Sequence, residues 1–227
     1  MTISRQHAPV VGALAALALV GCGITVRPAA AQVTAPAAGP TSRPAVTPSD
    51  VAFMSGMIVH HAQAVMMASW APSHGASPAV AEVCRRIAVS QRDEIAFMQH
   101  WLADRHDPVP QVDTTTGRML SMGSAMAMPG MNVADTAAPM MPGMLSAAQM
   151  AQLDSARGPA FDRLFLTGMI QHHEGALTMV QRLVSTPGAA QDPLIFQFAA
   201  DISSGQAAEI DRMRHVLAAE LFGAGSH

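Results

Sequence analysis

The chain contains no lysine and no tyrosine, and only two of its 227 residues are cysteine. Its 13 basic residues are outnumbered by 16 acidic ones and form no basic patch, which argues against a nucleic-acid-binding protein. A phosphate-binding loop, a dinucleotide fingerprint and a Ser/His/Asp order are also missing, so nothing supports those chemistries. No segment alternates with period two for long enough to predict a sheet.

The first 21 residues have the features of a bacterial export signal. Arg5 precedes an apolar run at residues 10–20 that is too short to span a bilayer. The run ends in the tetrapeptide LVGC, which resembles a lipobox, so Cys22 is predicted to be the lipidated first residue of the mature protein and to tether it to a membrane. The alternative is an ordinary signal peptide that is cut after the alanines at 29–31. No later apolar run is expected to reach spanning length.

The rest of the chain divides into a tether, two helical hairpins and a linker. Residues 22–49 are rich in Ala, Pro and Thr and cannot bury a core, so they are predicted to form an extended tether. Order is expected to begin at Ser49 or Asp50, which are good N-cap residues. With Cys22 lipidated, Cys84 is the only thiol of the mature protein, and this excludes an internal disulfide.

Proline and glycine positions and apolar spacing predict the helices. The linker, residues 106–158, is rich in Met, Pro and Gly, and is expected to hold little regular structure before a short helix that starts at a capping box at Ser146. The first hairpin (50–105) is predicted to contain helices at 50–71 and 78–105, and the second (159–221) helices at 160–185 and 193–221.

The two hairpins are copies of one another. Eight residues from Phe53 to Met67 recur 112 positions later, and seven from Ile87 to Leu102 recur 115 positions later. Identities at a constant offset indicate an internal duplication. A duplicated helical hairpin predicts an all-α fold, an antiparallel four-helix bundle.

Polar residues occupy core-facing positions of these helices. Spacing of three and four residues directs His60 toward the interior, together with the equivalent His172, and it does the same for Gln91, Gln206 and two glutamates, Glu94 and Glu209. Buried without partners, such groups would be destabilising, so they either form a hydrogen-bonded network across the bundle or hold a metal ion. The glutamates would be ligands or would fix the imidazole tautomer.

The residue types favour copper. Carboxylate-bridged iron sites in bundles use Glu-x-x-His, which is missing here, and structural zinc normally requires more cysteine than Cys84 alone. Thioether sulfur suits Cu(I) and imidazole suits both Cu(I) and Cu(II), and Met57 lies one helical turn before His60. His100 and His215 lie off the core-facing positions and are predicted to be on the surface.

A second group of methionines lies in the linker. Methionine usually fills gaps in a core, but a Gly/Pro-rich loop has no core of its own, so a soft-metal site is predicted here. The alternatives are a loop that packs on the bundle or that binds an apolar partner. The methionines are Met119, Met122, Met126, Met128, Met131, Met140, Met141 and Met144.

The repeated motif resembles the family called domain of unknown function 305. Phe-x-x-x-Met-x-x-His-His-x-x-Ala is followed by Gln-x-x-Glu-Ile-x-x-Met, and both then recur, over residues 50–220. The resemblance implies a ferritin-like four-helix bundle in exported bacterial proteins, some of which are linked to copper binding and resistance. The metal-site residues that it implies are Met57, His60, His61, Met67, Glu94, Met98, Met169, His172, His173, Met179, Glu209 and Met213.

Together these features predict a non-catalytic, copper-binding lipoprotein of the bacterial envelope. It would sequester copper or pass it to an envelope copper-handling protein. One alternative is an enzyme that oxidises Cu(I) or handles peroxide, with Glu94 or Glu209 transferring protons. Another is a metal-free envelope scaffold that uses the methionine-rich linker for protein contacts.

Overall fold

The computed structural model describes residues 45–121 and 141–222. This part of the chain is mainly helical, so the prediction of an all-α fold is confirmed. Cys22, the rest of the export signal, most of the tether and five linker methionines (Met122, Met126, Met128, Met131 and Met140) lie outside the described residues. The elements are α1 (Pro48–Ser69), α2 (Pro78–Ala103), β1 (Gln111–Val112), β2 (Met119–Ser121), α3 (Ala147–Ser155), α4 (Pro159–Ser185) and α5 (Pro193–Phe222).

Helix α1 begins earlier than predicted. Its N-cap is Thr47, and Asp50 is instead the third helical residue, where its carboxylate accepts from the Thr47 N–H to complete a capping box. The predicted ends of α1 and α2 are each two residues too late. The capping box before α3 is confirmed, because Ser146 and Gln149 exchange side-chain and backbone hydrogen bonds.

The linker is more ordered than predicted. Strands β1 and β2 pair antiparallel, but they contain two and three residues and are too short to show a period of two in sequence. Arg92 of α2 donates to the carbonyls of Thr114 and Thr115 in the turn between them. Gly117, at φ +70°, lies so close to α1 that an added Cβ would be 2.2 Å from the Ala62 carbonyl oxygen. The β-hairpin is therefore held against α1 and α2.

The four long helices pack as two antiparallel hairpins. Helix α1 pairs with α2 and α4 with α5, and the hairpins meet mainly through α1 and α4. The apolar core has two clusters, one around Phe53, Trp101 and Phe198 and the other around Phe161 and Phe165. The histidines, buried glutamines and glutamates lie along each helix where these two clusters meet, so they form a polar layer across the core.

An approximate two-fold axis relates the hairpins. A Cβ on Gly56 of α1 would lie 3.7 Å from the methyl carbon of Met179, and a Cβ on Gly168 of α4 would lie 3.5 Å from that of Met67. Both the glycines and the methionines are 112 positions apart, so the two contacts are equivalent. Reciprocal contacts of this kind are the signature of two like units packed about a two-fold axis.

Two buried aspartates make a second reciprocal contact. Asp50 accepts a 2.7 Å hydrogen bond from the backbone N–H of Ala190, in the turn of the second hairpin. Its equivalent Asp162 accepts one of 3.1 Å from the N–H of Ser77, in the turn of the first. Each hairpin therefore anchors the turn of the other, and this fixes how α1 and α4 align.

Helix α1 is long and apolar enough, by length and composition, to cross a membrane. The expectation that no run after the export signal reaches spanning length is therefore wrong. In the protein 72% of the most apolar window of α1 is buried against the rest of the fold. Packing in the core accounts for its apolar character, because a central helix is apolar on most of its faces.

Candidate functional site

His60 and His172 touch each other at the approximate two-fold axis. Their ring centroids are 3.8 Å apart with the planes tilted by 39°, and both side chains are wholly buried. Equivalent residues of two related units contact one another only near the axis between them. This pair, the histidine centre, therefore marks the middle of the core.

A His–Glu pair flanks the histidine centre on each side. The Nε2 atom of His61 lies 2.5 Å from a carboxylate oxygen of Glu94, and that of His173 lies 2.7 Å from one of Glu209. Because a carboxylate only accepts, each Nε2 carries the proton. The histidines are wholly buried, whereas Glu94 and Glu209 are 22% and 20% exposed. Each glutamate thus connects a buried imidazole with the surface.

Several buried nitrogens of the polar layer are unpaired. Within the described residues, no hydrogen-bond partner is found for the Nδ1 atoms of His60, His61 and His173, or for either ring nitrogen of His172. Both amide atoms of buried Gln91 are unpaired as well. Buried polar atoms in folded proteins are nearly always paired, so a cluster of unpaired ones marks a place where water, an ion or another ligand would supply partners.

The histidine centre is neutral. Burial lowers the pKa of His60 from 6.5 to about 3, and charge on His61 lowers it further, while the Pro142 carbonyl opposes the shift. Burial also lowers the pKa of His172 well below 6.5, and the repulsion that a proton on His60 or His173 would exert lowers it further. The nearby His60 carbonyl favours the protonated form only weakly, because it does not reach hydrogen-bond geometry with the ring. Near pH 7 each neutral ring carries one lone pair, on Nδ1 of His60 and on one of the two nitrogens of His172, and a neutral imidazole is the form that binds metals.

Residues 141–145 form a strap across α1 and α4. His60 donates from Nε2 to the carbonyl of Pro142 at 2.9 Å. Gln63 exchanges two hydrogen bonds of 3.0 and 2.8 Å with the backbone of Leu145. Since nothing equivalent contacts His172 among residues 45–121 and 141–222, the strap makes the two members of the histidine centre different.

Two glycines allow the strap to lie on α4. A Cβ on Gly175 would be 2.0 Å from the Pro142 carbonyl oxygen and 2.5 Å from the Gly143 Cα. Gly143 itself has φ +76°, and a Cβ there would be 2.5 Å from the Gln171 carbonyl oxygen. Backbone therefore packs directly on backbone, and no larger residue fits at either position.

Thioethers supply the remaining donors of the core. Met57 and Met169 lie one turn before His60 and His172 and are wholly buried. The sulfur of Met141 in the strap lies 3.5 Å from the Cβ position of Gly56. Of the other predicted methionines, three are buried and one is half-buried: Met67, Met98 and Met213, and Met179.

The histidines and glutamates form pairs rather than a larger ligand set. Within residues 45–121 and 141–222, no three His, Cys, Asp or Glu side chains lie together as a metal site. A metal ion with three or more ligands in this layer would therefore need donors of another type, such as thioether sulfur. As expected, His100 and His215 lie on the surface, where each bonds a carbonyl of its own helix.

Comparison with known proteins places the chain in a family. The family model described as "Domain of unknown function (DUF305)" matches residues 50–217. The chain belongs to the DUF305 family. No curated protein matches this DUF305 chain.

Two solved DUF305 structures share the fold. A DUF305 fragment from Deinococcus radiodurans is 28% identical with a TM-score of 0.59, and the match covers 77% of this chain and 99% of that one. A candidate secreted DUF305 protein from Streptomyces coelicolor is 25% identical with a TM-score of 0.58, and the match covers 76% and 93% of the two chains.

Sequence reasoning missed the residues of this DUF305 chain that hold the strap. Gln63 of the first hairpin is equivalent to Gly175 of the second, and this is one of seven positions from Phe53 to Met67 at which the two copies differ. Both contact the strap, one through its amide and the other by having no side chain. A position where the two copies differ was thus the available signal.

Proposed function

We propose that this DUF305 protein binds copper through the histidine centre and stores it or hands it on in the bacterial envelope. The observation that carries the proposal is the set of three unpaired nitrogens on His60 and His172, in two neutral, wholly buried rings. Unpaired polar atoms in a core are costly, and a metal ion would satisfy the one lone pair that each neutral ring carries.

The donor types fit copper. His60 and His172 would bind it together with Met57 and Met169, and this combination of imidazole and thioether suits Cu(I), while imidazole also suits Cu(II). The two rings are in van der Waals contact, so an ion held by both requires at least one ring to rotate. Glu94 and Glu209 would not bind the ion. They would fix the tautomers of His61 and His173, which flank the histidine centre.

Storage or transfer accounts for the burial better than catalysis does. Both rings of the histidine centre have no exposed surface, so a substrate molecule has no direct access to an ion held there. An oxidase would use Glu94 or Glu209 as the proton-transfer group, because only these members of the polar layer's His–Glu pairs reach solvent.

Replacing both members of the histidine centre tests the proposal. In His60→Leu/His172→Leu we expect one equivalent of copper to be lost, or its affinity to fall by more than about 100-fold, which exceeds the usual effect of losing an outer partner. Copper content is measured by mass spectrometry, and Cu(I) affinity by anaerobic competition with bicinchoninate at pH 7.

The matched control is His100→Leu/His215→Leu, which removes two exposed histidines from equivalent positions of α2 and α5. This variant should bind copper like the wild type. Unchanged stoichiometry and affinity in a folded His60→Leu/His172→Leu protein would show that the histidine centre is not a copper site.

Export and lipid attachment complete the proposed function. The LVGC tetrapeptide supports lipidation of Cys22, and the candidate secreted relative from Streptomyces coelicolor supports export. We expect Cys22→Ala to accumulate as an unprocessed precursor or to leave the membrane fraction for the soluble envelope fraction. Fractionation and N-terminal mass spectrometry measure this. A mature N-terminus at Gln32 would instead indicate an ordinary signal peptide.

A further inference from the structure

A second group of methionines surrounds a cavity of 390 Å³. Each of four elements contributes one: Met66 from α1, Met119 from β2, Met144 from the strap and Met150 from α3. All four side chains are half-buried. Methionine that fills a gap in a core occupies the space itself, whereas these four border a space that stays open.

The polar groups around this cavity are already engaged. The amide of Gln63 is bonded to the backbone of Leu145, and a carboxylate oxygen of Asp154 lies 3.1 Å from Nε2 of His74. The rest of the wall is aliphatic or aromatic, as at Val59 and Trp70. Within the described wall, the thioether sulfurs and the second carboxylate oxygen of Asp154 are therefore the side-chain donors that remain for a ligand.

Local contacts hold the methionines in place. Gly117 packs against the backbone of α1 and so fixes the β-hairpin that carries Met119. The two hydrogen bonds between Gln63 and Leu145 fix the strap next to Met144. The capping box at Ser146 fixes the start of the helix that carries Met150. A site on rigid, independently anchored elements loses little entropy when a ligand binds.

We propose that the thioethers of Met66, Met119, Met144 and Met150 form a binding site for a soft monovalent metal ion, of the class of Cu(I) and Ag(I). Thioether sulfur is a poor ligand for hard ions such as Mg²⁺ or Ca²⁺ and a good one for these. The carboxylate of Asp154, which is 59% exposed at the cavity, adds negative charge that attracts a cation. The site contains no histidine, and the strap that carries Met144 is held by Gln63 as well as by His60, so the site does not require the histidine centre.

The experiment uses the full chain with the histidine centre already replaced, His60→Leu/His172→Leu, so that the two sites are read independently. Ag(I) and Cu(I) are titrated as the free ions against a competing chelator. This background should still bind one equivalent of each ion. Adding Met66→Leu/Met144→Leu/Met150→Leu should abolish that equivalent, because leucine keeps the size and apolar character of methionine but has no sulfur.

Controls separate a thioether site from an apolar one. Met54→Leu, at a wholly buried methionine outside the cavity wall, should leave binding unchanged. Helical circular dichroism verifies folding. If the triple variant does not fold, the single variants Met144→Leu and Met150→Leu replace it. Each of them should weaken Ag(I) binding. Ag(I) binding that survives in the folded leucine variants overturns the proposal. The proposal is also overturned if the His60→Leu/His172→Leu background binds no Ag(I) and its cavity takes up an apolar dye as well as that of the leucine variants does.

Discussion

Acidification is expected to destabilise the metal-free protein steeply between about pH 6.5 and pH 3. In the unfolded chain His60 and His172 take up protons near their ordinary pKa of 6.5, whereas in the fold the pKa of His60 is about 3 and that of His172 is also well below 6.5. The unfolded state therefore binds more protons throughout this window. The stability contributed by the two neutral rings is complete above about pH 6.5 and is lost as the pH falls toward 3.

The expected slope is on the order of 1 kcal/mol per pH unit for each histidine. For both together, two pH units would remove a large share of the roughly 5–15 kcal/mol that stabilises a typical domain. Urea denaturation at pH 7, 6 and 5, with chelator present, measures the change in unfolding free energy.

Leucine at both positions should flatten this dependence, because the double variant has no buried imidazole to protonate there. The surface variant His100→Leu/His215→Leu should keep the wild-type slope. An equally steep loss of stability in the His60→Leu/His172→Leu protein would mean that other groups, such as the paired carboxylates, cause the acid response.

The second large effect is expected from Gly175→Ala, which should displace the strap. In an open helix this change stabilises by about 1 kcal/mol, since alanine has the higher helix propensity. Here the new Cβ would lie 2.0 Å from the Pro142 carbonyl oxygen and 2.4 Å from its carbonyl carbon, so backbone must move. Overpacking of this kind costs roughly 1–3 kcal/mol. The strap, which belongs to no helix or strand, is the segment that we expect to move. The His60 side chain would then lose the one hydrogen-bond partner that it has among the described residues.

Hydrogen exchange of the Leu145 amide, which donates to Gln63, reports on the strap directly and should become much faster in Gly175→Ala. The matched control is Gly205→Ala in α5, because a Cβ there meets nothing within 4 Å. That change should leave Leu145 protected and should stabilise the protein slightly. Equal protection of Leu145 in both variants would contradict the packing described here.

The helices and the buried histidines were predictable because two signals coincide in the sequence. Apolar residues at helical spacing define which face of each helix is buried, and the same residues recur at a constant offset. For a residue present in both copies, such as His60 and His172, the second copy is independent support for the predicted burial. The all-α fold and the family followed from this repetition.

The strap and the pairing of the polar layer could not be predicted, because both depend on contacts between segments far apart in the chain. Gln63 and Leu145 are 82 residues apart, and periodicity contains no information about such a contact. The pairing of His61 with Glu94 is set by how α1 packs on α2, and the contact of His60 with His172 is set by how the two hairpins dock. The β-hairpin was missed because its strands are shorter than the pattern that would reveal them.

The strap has a consequence for how such a duplicated fold can diverge. A homodimer of a single hairpin would present the same residue at positions 63 and 175, so a glutamine that binds the strap and a glycine that makes room for it could not coexist. Joined in one chain, the two halves can mutate independently on either side of the axis. Fusion therefore permits one histidine to be tied to a backbone carbonyl while its twin is left with both nitrogens free.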